Sequence, residues 1–156
     1  MTDPSMTDQG PLVVLLSGPN LDLLGDRQPE LYGSATLADH VAAAAEEAAT
    51  CGLVVEHHQS NHEGALVEAV HGSRGRAAAI VVNAGALTHY SWSLHDALAA
   101  FDGFVIELHL TNPGAREEWR HLSVVAPAAD GTIAGFGGLG YRLAMQAVAR
   151  LLEGSA

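Results

Sequence analysis

Lysine is absent from this chain. The seven basic residues are all arginine: Arg27, Arg74, Arg76, Arg116, Arg120, Arg142 and Arg150. A lysine Schiff base with a carbonyl substrate is therefore impossible, and any fixed cation at a site is a guanidinium. Cysteine is nearly absent too. The single Cys51 excludes an intrachain disulfide and a cysteine metal cluster. It closes a helical pattern just before Gly52 and reads as a small core residue. Long hydrophobic runs are missing: Leu12 to Leu16 is the longest early one. No membrane span or secretory leader is read from the sequence, and the expected compartment is the cytoplasm. Positive charge is scarce overall. The net charge of −11 with histidine neutral argues against nucleic acid and against an anionic membrane surface as partners. An anionic substrate would need locally gathered arginine.

What is present fits one soluble domain with a real core. The chain has 156 residues, 48% hydrophobic and 16% charged. Low charge with many alanines and glycines predicts surface covered by other subunits. Residues 1–10 read as a mobile tail, and residues 11–156 as a single catalytic domain.

The chain is organised around Ser17 to Gly33. An apolar strand, Pro11 to Ser17, feeds this stretch, and a helix beginning near Thr36 follows it. Between them lies a long loop punctuated by Gly18, Pro19, Gly25, Pro29 and Gly33. Loops of this length are functional or disordered. Aliphatic anchors (Leu21, Leu23, Leu24, Leu31) beside Asn20, Arg27 and Tyr32 favour an active-site lid.

Beyond the loop, helices and strands alternate. Thr36 caps a helix to about Thr50, with Asp39 three residues on. Leu53 to Gln59 is the second strand, and a helix runs to His71. Ala78 to Val82 is the third strand, followed by a helix from about Ser91 to Ala100. Phe104 to Leu108 is the fourth strand, and Arg116 to Arg120 a short helical turn. Leu122 to Ala126 reads as strand five, and Thr132 to Phe136 as a short extra strand. A final helix spans about Gly138 to Glu153. This alternation predicts an α/β, flavodoxin-like, doubly wound five-stranded parallel sheet, strand order 2-1-3-4-5. Ligands of such sheets bind at the carboxyl ends of the strands. Asn20, Ser60, Asn61, Asn83, His89 and His109 all fall there.

Each motif has a plain alternative. Tyrosine is a poor base at neutral pH, but a nearby guanidinium, here Arg27, favours the phenolate. The plain alternative is a packed tyrosine and a solvated arginine. Glu107 and His109 lie on one side of a strand, where a carboxylate orients an imidazole as proton donor; a strand-edge pair without chemistry is the alternative. Arg116 and Arg120, four apart, share a helical face, and one of them can grip a carboxylate. His57, His58, His62 and Glu63 hint at metal, but His57 and His58 point to opposite faces of a strand. Gly135 to Gly140 matches G-x-G-x-x-G, yet too few residues follow to complete a dinucleotide-binding unit. Close packing at a helix start explains these glycines better.

Taken together, Gly18-Pro19-Asn20-Leu21, Arg27 to Tyr32-Gly33, Gln59 to Gly64, Asn83-Ala84-Gly85 with Thr88-His89, Glu107 to Asn112 and Arg116 to Arg120 resemble type II 3-dehydroquinate dehydratase. The resemblance runs from Leu12 to Leu152. It implies dehydration of 3-dehydroquinate to 3-dehydroshikimate by anti elimination through an enolate, in the shikimate pathway or in quinate catabolism, with no metal or other cofactor. It implies Tyr32 as the base at C2, Arg27 as its tuner and transition-state stabiliser, and Asn20 holding a water at the enolate oxygen. His109 would protonate the leaving C1 hydroxyl, backed by Glu107. Asn83, His89, Arg120 and the Leu110-Thr111 backbone would hold the substrate. Asp96 would reach in from a neighbouring subunit of a trimer, with four trimers forming a dodecamer. Asp22 and Gln28 stand where the family commonly has Asn and Glu. Two rivals remain at this stage: a non-enzymatic flavodoxin-like module binding phosphate or flavin, and a metal-dependent lyase built on His57 to Glu63.

Overall fold

Apolar runs of four to six residues set the architecture. A computed structural model describes residues 9–155; residues 1–8 of the expected tail lie outside the described residues. The strands are Leu12–Ser17 (β1), Val54–Gln59 (β2), Ala79–Asn83 (β3), Phe104–His109 (β4) and Gly131–Ala134 (β5). They form one parallel sheet in the order β2-β1-β3-β4-β5. β1 lies inside the sheet between β2 and β3 and is buried on both faces, which is why it reads as unbroken Leu and Val. Val13 and Leu15 face one core, Val14 and Leu16 the other, all with 0% exposure. Each such side chain stabilises the fold by roughly 1.5–3 kcal/mol.

The helices are Pro29–Tyr32 (α1), Leu37–Thr50 (α2), Glu63–Ser73 (α3), Trp92–Ala99 (α4) and Leu139–Gly154 (α5). Helices α2 and α5 cover the first face with Ala44, Ala48, Ala144 and Val148, and α3 and α4 cover the second with Leu66, Val70, Leu94 and Leu98. The expected cap of α2 forms in both directions. Thr36 Oγ1 accepts from the Asp39 N–H at 3.2 Å, and Asp39 Oδ2 accepts from the Thr36 N–H at 2.9 Å. Such a cap contributes about 1 kcal/mol.

Three local expectations are corrected. Leu122 to Ala126 is not a strand, despite Val124 and Val125. Its polar groups are bonded elsewhere: Val124 N–H to the Thr88 carbonyl at 2.8 Å, Ala126 N–H to Ser123 Oγ at 2.9 Å. Pro127 then removes a donor. The edge strand is the later Gly131–Ala134, introduced by Asp130, whose N–H and carboxylate both engage the backbone of Val105. The long loop is also more regular than expected, holding a 3₁₀ turn at Leu21–Leu23 and the single turn of α1, with Pro29 at its first position. Finally, Arg116 to Arg120 is not one helical turn. Arg116 is extended between 3₁₀ turns at Pro113–Ala115 and Glu118–Arg120.

The glycine-rich segment packs as expected. A β-carbon on Gly140 would lie 2.9 Å from Leu108 Cδ1, and one on Gly138 would lie 2.8 Å from the His40 ring. Among the described residues, the element after these glycines is helix α5.

Candidate active site

The carboxyl ends of β1, β3 and β4 converge on one cleft. Gly18 makes the approach possible: a β-carbon there would sit 2.4 Å from the Ala84 carbonyl oxygen. Its N–H donates to the Asn83 carbonyl at 2.8 Å, so the exits of β1 and β3 run side by side. Asn20 follows in the left-handed region, with φ of 69°, a conformation asparagine tolerates. Its N–H donates to Asn61 Oδ1 at 2.9 Å, and that oxygen also accepts from Gln59 Nε2 at 3.2 Å. The turn after β2 thus steadies Asn20 from behind. Asn83 is buried. Its Oδ1 accepts from the Gly85 N–H at 3.3 Å, and its Nδ2 donates to the Tyr141 hydroxyl at 3.4 Å.

Pro113 and the loop residues Arg27 and Tyr32 also line the cleft. Arg27 Cζ lies 4.9 Å from the Tyr32 ring centre and Arg116 Cζ lies 5.3 Å from it. Two fixed positive charges therefore flank the phenol. Arg116 Nη1 also donates to Thr111 Oγ1 at 3.3 Å. Sequence reasoning weighed Arg116 but gave it no role; helical spacing was the wrong reason to pair it with Arg120, although both arginines do face the cleft.

His109 and Glu107 meet as their strand positions predict. His109 Nε2 donates to Glu107 Oε1 at 2.7 Å, which leaves Nδ1 as the other ring nitrogen. Glu107 is 1% exposed. Burial opposes its ionisation, but hydrogen bonds from His109 and Ser123, the His109 charge, and Thr132 together hold the carboxyl below its ordinary range. Ser123 and Thr132 went unnoticed in the sequence; nothing in local spacing points from either to Glu107. His89 Nδ1 donates to the Leu122 carbonyl at 2.6 Å. A carbonyl only accepts, so Nδ1 carries the proton and Nε2 is the second nitrogen of that ring. The His89 ring meets Trp119 edge-on at 5.3 Å, and Arg120 Cζ lies 4.0 Å above the Trp119 ring. Arg120 Nε is held by Glu117 Oε2 at 2.5 Å.

Asn20, Arg27, Tyr32, Asn83, His89, His109, Leu110, Thr111, Arg116 and Arg120 line the cleft, whose free volume is about 70 Å³. Three of the seven arginines are thus gathered at one point of a strongly acidic chain. Glu107 stands behind His109 rather than in the cleft. Asp96 is not part of it: the residue is exposed on α4. His57 bonds to Ser17 Oγ at 2.9 Å and His58 to Glu56 at 2.7 Å, on opposite sides of β2. Among the described residues, no three His, Cys, Asp or Glu side chains are grouped to hold a metal ion.

The arrangement offers a phenol, a carboxylate-backed imidazole and a cationic wall. That set suits removal of a proton from carbon and delivery of a proton to a leaving oxygen. Similar proteins carry names in keeping with this chemistry. The chain is 49% identical over 143 residues to 3-dehydroquinate dehydratase 2 of Pseudomonas putida, covering 92% of this chain and 96% of that one. It is 48% identical over 140 residues to the catabolic 3-dehydroquinase of Aspergillus oryzae, covering 90% and 92% of the two chains. The solved structure of type II dehydroquinase from Propionibacterium acnes superposes with a TM-score of 0.88 at 38% identity, covering 92% and 99%. Residues 11–149 match the family described as dehydroquinase class II, a span running from the start of β1 into α5 and taking in every residue of the cleft, and the chain belongs to that family.

Proposed function

We infer that this protein dehydrates 3-dehydroquinate to 3-dehydroshikimate by anti elimination through an enolate. The observation that carries the reading is Tyr32 beside both Arg27 and Arg116 in the cleft that His109 enters from β4, with Glu107 behind that imidazole. Tyr32, as phenolate, takes the C2 proton beside the ketone. The electron pair passes to the C3 oxygen, and Asn20 steadies that enolate through a water. As the enolate collapses, the C1–O bond breaks and His109 gives the departing hydroxyl a proton. Water and the conjugated enone leave. Glu107 stays ionised behind His109 and balances its charge. Asn83 and His89 hold substrate hydroxyls, Arg120 holds the carboxylate with the Leu110 and Thr111 backbone, and Arg27 with Arg116 keeps positive charge beside Tyr32.

Mixing pure protein with 3-dehydroquinate should produce the ultraviolet absorbance of the enone. Turnover should be unchanged by EDTA, and protein treated with substrate and borohydride and then freed of both should keep its activity, because neither a metal nor an imine is used. Loss of activity after either treatment would refute the mechanism.

The same reading extends to assembly and place. Residues 11–156 form one catalytic domain, working in the cytoplasm as a homo-oligomer of four trimers, with Asp96 completing a neighbour's site. Asp96 is exposed, and Trp92, one turn earlier on α4, is a large apolar residue left open to solvent, as are Tyr90 and Leu122. Asp96→Ala and His109→Ala proteins should each be weak. Unfolded together and refolded as mixed rings, about one site in four would carry both intact residues. Activity should then rise well above either parent; mixed oligomers that only average the parents would rule out the shared site.

A further inference from the structure

The segment Leu122-Ser123-Val124 was expected to be a strand, and what it does instead concerns both histidines of the cleft. The Leu122 carbonyl accepts a hydrogen bond from His89 Nδ1–H, and one residue later the Ser123 hydroxyl donates to Glu107 Oε1 at 2.7 Å. Ser123 Oγ is itself fixed, because it accepts the Ala126 N–H at 2.9 Å. With that lone pair engaged, the hydroxyl proton is directed to the carboxylate. From the other side, Thr132 Oγ1 on β5 donates to Glu107 Oε2 at 3.3 Å. Glu107 therefore has donors on both oxygens besides His109. A carboxylate held this way cannot rotate without losing charge-assisted bonds. It must present the same oxygen to His109 Nε2 throughout the cycle.

We propose that Ser123, assisted by Thr132, is a positioning residue for the elimination, fixing Glu107 so that His109 is held in the orientation and charge state needed to protonate the leaving hydroxyl. The proposal rests on the assignment of His109 as the acid. Neither hydroxyl belongs to the main cleft lining, and both act through Glu107. Among the described residues, the one titratable group hydrogen-bonded to Glu107 is His109; His89, Arg120 and His121 line the same 160 Å³ cavity. Two hydroxyl donors favour the ionised carboxylate, so their removal makes Glu107 easier to protonate. The expected consequence is an acid limb of the kcat profile that moves to higher pH.

A double-mutant cycle with pH profiles tests this. Ser123→Ala should lower kcat roughly tenfold to a hundredfold, the scale of a hydrogen bond to a charged group, with KM nearly unchanged and the acid limb raised. Ser123→Thr, which keeps the hydroxyl, should restore most of kcat. In a His109→Ala background the Ser123→Ala change should cost almost nothing further. Thr132→Val, on the exposed edge strand, repeats the test with a smaller loss should Ser123→Ala fail to fold. If folded Ser123→Ala keeps wild-type kcat, or if its loss simply multiplies that of His109→Ala with the acid limb unmoved, the proposal is overturned while the role of His109 stands. If His109→Ala itself keeps full turnover, the acid assignment falls and this proposal with it.

Discussion

Tyr32→Phe should remove nearly all turnover while 3-dehydroquinate still binds. Phenylalanine keeps the ring that Arg27 and Arg116 flank at 4.9 and 5.3 Å, so the lid loses one oxygen and little packing. That oxygen is the only group proposed to take the C2 proton. A positioned general base contributes about 10²–10⁴-fold, so a loss of that order in kcat is expected, with KM moved far less. Arg27→Gln should also cut turnover, because it removes one of the two charges beside the phenolate, and it should move the basic limb of the pH–rate profile. Steady-state kinetics and direct titration of substrate measure both effects. Near-normal turnover in the Tyr32→Phe protein would take the base assignment away.

His109→Ala should depress kcat by about 10²–10³-fold with a much smaller change in affinity. The physical reason is the timing of the two proton transfers. Abstraction at C2 needs Tyr32 and the guanidinium groups, whereas the His109 ring is hydrogen-bonded to Glu107. Departure of the C1 hydroxyl needs a proton, and only His109 in this cleft is held by a buried carboxylate, at 2.7 Å. The variant should therefore still exchange the C2 proton with solvent deuterium while accumulating little enone. Mass spectrometry of recovered substrate follows the exchange, and absorbance follows the elimination. Exchange and elimination lost in equal measure would mean that His109 serves binding or abstraction instead. Turnover at the wild-type level would leave it no role.

Much of this was legible in the chain. Unbroken Leu and Val in β1 could only be a strand covered on both faces. Each polar residue just past a strand end had to arrive at one sheet edge, which placed Asn20, Asn83, His89 and His109 together before any coordinates did. Glu107 and His109 followed from the two-residue period of β4. The errors share a cause as well. Val124 and Val125 carry strand propensity, but tertiary hydrogen bonds to Thr88 and His95 captured their segment. The real edge strand is four residues long and begins with glycine, so Thr132 to Phe136 read only as a short extra strand beside the stronger Leu122 to Ala126 pattern. Arg116 and the Ser123 hydroxyl depend on how separate loops fold back on the sheet, and Thr132 on the register of β5 beside β4; no local period encodes either.

The most direct test of the central claim is stereochemical. Two samples of 3-dehydroquinate would carry deuterium at C2, one anti to the C1 hydroxyl and one syn to it. Deuterium from the anti sample should pass to solvent and leave unlabelled 3-dehydroshikimate, while the syn sample should keep its label in the product. Retention of the anti label with loss of the syn label would contradict it.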